Sequence, residues 1–94
     1  MLIVKSEVTQ DDINHGKTHN ARFCPIACAI GRKYEKVRVT KNEIALRYKE
    51  DRIQFVNSSE VEDWVNDFDA TIKVQPVTIG LDFTNRVAFI DKGL

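Results

Sequence analysis

Val37-Arg38-Val39-Thr40-Lys41-Asn42-Glu43-Ile44-Ala45-Leu46-Arg47-Tyr48-Lys49-Glu50-Asp51-Arg52-Ile53-Gln54-Phe55 alternates apolar and polar residues in three short runs. Period two is the spacing of a strand that turns one face to a core and the other to water. Lys41-Asn42 and Lys49-Glu50-Asp51 interrupt the alternation as turns. The stretch predicts a three-stranded antiparallel meander. Val37, Val39, Ile44, Leu46, Ile53 and Phe55 should point to the core, and Arg38, Thr40, Arg47, Arg52 and Gln54 to solvent.

Downstream of the meander, Val61, Trp64, Val65 and Phe68 fall at i, i+3, i+4 and i+7, the apolar stripe of a helix over 59–68. Ser58 or Ser59 caps its start, with Ser59 and Glu62 at capping-box spacing. This helix should bury Trp64 and Phe68 against Ile44, Leu46, Ile53 and Phe55. Its opposite face carries Glu60, Glu62, Asp63 and Asp67. An extended segment over 74–83 follows, with Val77, Ile79, Leu81 and Phe83 inward and Thr78, Gly80 and Asp82 outward. Pro76 suits its start or a sheet edge. Thr84-Asn85 turns the chain into a short last strand over 86–90, and the tail over 91–94 reads as loose.

Upstream, residues 2–7 read as a first strand. Thr9 and Asp12 stand at helix-start spacing: the hydroxyl accepts from a free backbone N–H, and the carboxylate lies in the positive first turn. A short helix over 10–15 should end at Gly16, which takes a left-handed conformation cheaply. Residues 17–23 form a polar loop. Pro25 opens a second helix, over 25–33, where its missing N–H costs nothing, and Ile26, Ala29 and Ile30 form its buried stripe. The whole predicts one α+β domain, with two or three helices on one face of an antiparallel sheet of four to six strands and a polar, solvated opposite face. Residues 1–83 are read as its core and 84–94 as a C-terminal extension.

Ninety-four residues, 43% apolar and 30% charged, make an ordinary globular balance with little room for an enclosed active site. No apolar run approaches the roughly 20 residues of a membrane helix. The N-terminus lacks a long apolar stretch after a basic start, so a cytoplasmic protein without membrane partners is expected. Net charge is zero, which argues against a dedicated nucleic-acid binder. The charge is segregated, however. Residues 32–52 carry eight basic and four acidic side chains, and residues 57–71 carry five acidic ones and no basic one. A basic side and an acidic side follow.

His15, His19, Cys24 and Cys28 form the one metal-like constellation, two nitrogen and two sulfur donors. The His-x3-His-x4-Cys-x3-Cys order matches no zinc finger, and Cys28 sits among small residues that suit a core. Buried thiols and solvent-facing histidines are therefore expected, with no metal. Cys24 at a helix start could be a reactive thiol, but only His19 offers a base and no third group orients it. There is no phosphate loop, paired-carboxylate motif or nucleophile elbow. No catalytic or cofactor-binding residue is assigned, and the chain is expected not to be an enzyme.

Val8-Thr9-Gln10, Ile13, Gly16, Cys24-Pro25-Ile26-Ala27, Phe68-Asp69-Ala70 and Pro76 together resemble a family of small uncharacterised proteins of tailed bacteriophages and prophages. The likeness covers about residues 3–83. It implies a phage origin and carries no activity. With the charge pattern, it leads to the expectation of a non-enzymatic phage accessory protein that binds a host protein. Its candidate contacts are Glu60, Glu62, Asp63 and Asp67 on the helix, or Arg38, Arg47 and Arg52 on the sheet. One alternative is nucleic-acid binding by the arginine face flanked by Lys36, Lys41 and Lys49. The other is a small zinc-stabilised module.

Overall fold

The computed structural model describes residues 2–93. The elements in chain order are β1 (Ile3–Val8), α1 (Gln10–His15), α2 (Pro25–Gly31), β2 (Glu35–Val39), β3 (Glu43–Tyr48), β4 (Asp51–Asn57), α3 (Ser59–Asp69), β5 (Val77–Asp82) and β6 (Val87–Asp91). The six strands form one sheet in the order β1-β5-β6-β4-β3-β2. Every pairing is antiparallel except β4 with β6, which run parallel through Val56–Val87 and Asn57–Ala88. The fold is α+β, with a mixed, mostly antiparallel sheet.

The meander forms as its alternation predicts. Val37, Val39, Ile44, Leu46, Ile53 and Phe55 are buried in one cluster with Val8, Ile26, Ile30, Val61, Trp64, Ile79, Leu81 and Ala88. Phe83, just past β5, packs edge-on against Phe55 at 5.0 Å and meets Tyr34 and Tyr48. These aromatic rings close one end of the core. Trp64 stacks on Phe68, and its indole N–H donates to Gln75 O at 3.0 Å, so the ring is buried without stranding its donor. α3 rests over β4 and β6.

The segment after Phe83, read as an extension with a short last strand over 86–90, forms that strand as β6, and the strand stands inside the sheet, between β5 and β4. It joins β1–β5 to the meander, and Ala88 is fully buried. The tail also departs from a loose end. Asp91 accepts Lys5 at 2.9 Å, and Lys92 pairs with Glu60 at 2.7 Å. Leu94 lies outside the described residues.

The caps are local and mostly as predicted. Thr9 and Asp12 form a complete capping box on α1. Cys24 caps α2, its Sγ accepting from Ala27 N, with Pro25 in the first turn. Ser58, not Ser59, caps α3, so the Ser59–Glu62 box is not made. Gly16 is not left-handed; its φ is −68°. A Cβ there would lie 2.5–2.8 Å from the ring and nitrogen of Pro25, so glycine is needed for close approach. Gly80 faces outward as predicted but is buried, because the ring of Phe89 on β6 covers it. Asp82 is buried because its carboxylate caps the β5–β6 turn, accepting from Thr84 N, Asn85 N and Asn85 Nδ2.

α2 touches both β1 and β2, the two outermost strands, so the sheet curls around it. Both edges are occupied. Lys33 Nζ donates to Lys5 O, and Arg32 Nη2 donates to Glu7 O at 2.9 Å, on the free side of β1. Val39 N, on the free side of β2, donates to Ala21 O at 2.8 Å. Arg32 also forks onto Asp12 with bonds of 2.7 and 2.8 Å. That guanidinium holds the Asp12 carboxyl below its ordinary value.

Candidate binding surface

The helices occupy the concave side of the sheet and leave its outer side open. Arg38 on β2, Arg47 on β3 and Arg52 on β4 stand on that side. Arg47 and Arg52 are direct cross-strand partners. Arg38 lies opposite Ala45, two residues from Arg47 on the same face. All three are exposed. Among the described residues, none of the three reaches a carboxylate within ion-pair distance. Arg47 Nε donates only to Lys49 O, at 3.3 Å, across the β3–β4 turn. Like charges directly opposite in an antiparallel pair destabilise it.

The outer side is not wholly polar, as alternation alone had implied. Val56, on the same face of β4 as Arg52, is 65% exposed. Val87 is its partner on β6, and Ile3 and Phe89 share the face further along. Sequence reading passed over Val56, although it breaks the alternation at an outward position. The flanking lysines do not complete a basic strip. Lys49 lies over the Tyr48 ring, Lys41 lines a cavity on the other side of the β2–β3 turn, and Lys36 sits left-handed in a β2 bulge. Glu35 and Glu43 stand opposite Arg47 and Val56 respectively.

The acidic residues of α3 divide. Glu60, Asp63 and Asp67 are exposed at i, i+3 and i+7, one stripe facing away from the sheet. Glu62 lies on the opposite flank and is half-buried.

The loop and second helix bring an unforeseen residue to the cysteine. His19, Cys24, Thr40, Lys41, Val65 and Asp69 line a cavity of about 280 Å³. Asp69, fifty residues from His19, accepts its backbone N–H at 2.9 Å, with the ring 3.9 Å away. That separation hid Asp69 from the sequence reading. The thiol is the wrong form for nucleophilic work: burial pushes Cys24 up to about 11. Cys28 is raised as well, first by burial and then by the Asp12 charge. His15 stays at the end of α1 with Asp11. Among the described residues, no three His, Cys, Asp or Glu side chains are grouped to hold a metal ion. No helix there is long and apolar enough to cross a membrane. Compared with known protein families, with curated proteins and with solved structures, the chain matches none.

Proposed function

We propose that the chain is a non-enzymatic phage accessory protein whose open sheet face binds an acidic surface on a host protein, such as a component of a defence or regulatory machine. The observation that carries this is the side-by-side placement of Arg47 and Arg52, both exposed and, among the described residues, with no carboxylate within ion-pair distance. A fold that keeps two like charges adjacent gives up stability where it needs an anion from elsewhere. Arginine presents a planar fork to carboxylates, and Val56, further along the same face of β4, adds apolar area, the mixture typical of protein contacts. The buried, protonated Cys24 thiol supports a binding role over catalysis. The phage origin rests on the resemblance described above, as does the host cytoplasm as its place of action.

Affinity capture from host lysate tests the reading, with wild type and the Arg47→Glu/Arg52→Glu variant immobilised in parallel. A specific protein held by wild type, released by salt and lost from the variant is the expected result. The same proteins on both matrices, or none on either, would overturn it. Nucleic-acid binding has weaker support, because the net charge is zero and the flanking lysines do not complete a basic strip. It predicts a low-salt gel shift whose salt slope falls by about one for each arginine removed.

A further inference from the structure

We infer that the arginine face of one copy takes the acidic stripe of α3 from a second copy, so that the chain associates with itself head to tail. The inference rests on reading Arg38, Arg47 and Arg52 as an anion-recognising surface, and it names an occupant that this chain carries. Glu60, Asp63 and Asp67 lie on one exposed flank of a regular helix. At 1.5 Å per residue they span about 10 Å. Arg38, Arg47 and Arg52 lie on three adjacent strands. At roughly 4.8 Å between strands, with the offset of Arg38, they span about 10–12 Å. Three carboxylates therefore meet three guanidinium groups at matched spacing, each set held by backbone hydrogen bonds.

One exposed apolar residue also lies near each set. Ile72 N donates to Asp67 O at 2.9 Å, which folds the exposed Ile72 back to the end of the acidic stripe. The exposed Val56 lies four residues from Arg52 on the same face of β4, opposite Glu43. A net charge of zero leaves no long-range repulsion between copies. α3 packs on the concave side of the sheet and its acids face away, so the two patches are on opposite sides of the molecule. The contact is heterologous, and it propagates as an open chain instead of closing as a two-fold dimer. In forming it, Glu60 exchanges its partner Lys92 for an arginine of the next copy.

Sedimentation velocity over a concentration series, at low and high salt, reads this directly. The expected result is a weight-average mass that climbs with concentration at low salt and returns to the 10.8 kDa monomer at high salt. Arg47→Gln/Arg52→Gln and Asp63→Asn/Asp67→Asn should each be monomeric, with melting curves confirming that both fold. Mixed in equal amounts, they should form pairs and stop there, since each keeps one working face. A monomer at every concentration in low salt overturns the inference, as does assembly that survives both variants. Wild type that stays monomeric yet captures a host protein through its arginines would remove this inference and leave the proposed function standing. Self-assembly without host capture would do the reverse.

Discussion

Asp12 is 7% exposed and collects Thr9 N and both forks of Arg32, while Arg32 goes on to the Glu7 carbonyl. One carboxylate thus ties the start of α1 to the end of α2 and to β1. Its pKa is lowered from 3.8, with the Arg32 bond as the largest cause. The associated stability is present above the unfolded value and is lost as pH falls through the lower, folded value. Wild type should lose melting temperature on acidification below about pH 4, and Asp12→Asn should flatten that loss. At neutral pH the same variant should cost about 1.5–2 kcal/mol, the low end for charged hydrogen bonds because Arg32 is half in water. Half of this site was legible. Thr9 and Asp12 are three residues apart, so their capping box could be read. Arg32 is twenty residues further on and looked like one more charge in a basic run. Gly16 was recognised as special for the wrong reason, because a close approach by Pro25 leaves no mark in local sequence. Gly16→Ala should therefore destabilise by about 1–3 kcal/mol through overpacking, although its φ suits any residue, and chemical denaturation measures it.

Among the elements, α3 was the easiest to read and β6 the hardest. A stripe of Val61, Trp64, Val65 and Phe68 has one interpretation at helical period. Trp64→Ala should cost about 3–5 kcal/mol and lower the melting midpoint accordingly. The five residues of β6 have no period of their own that says where they lie. Their place depends on a parallel pairing with β4, which needs α3 and β5 as the crossover. Only the folded chain reveals that this short strand links β5 to the meander. Removing residues 84–94 should therefore abolish the cooperative thermal transition. A truncated chain that melts cooperatively near the wild-type midpoint would show the sheet to be divisible there. The outer face was legible in its arginines and illegible in its grouping, because strand register decides that Arg47 faces Arg52.

At the scale of the molecule, hydrogen bonds hold the loop over 16–23 at several points. Lys17 N bonds Phe23 O, Asn20 caps the following turn, Val39 N bonds Ala21 O, and Asp69 receives His19 N. A chelator should leave the melting temperature unchanged, and elemental analysis of purified protein should find no stoichiometric zinc. One zinc per chain, lost with Cys24→Ser, would contradict both. The order of the strands has a further consequence, for synthesis. β1 precedes its partner β5 by roughly seventy to eighty positions, and β5 is anchored by the still later β6. The helix that β1 packs against also needs β2 on its other side. The first strand therefore cannot settle into the sheet until the second half has been added, although the β2–β3 hairpin can pair before then. The sheet closes only after β6 has emerged, so the β1 segment stays uncommitted until then, with its apolar residues available to a chaperone.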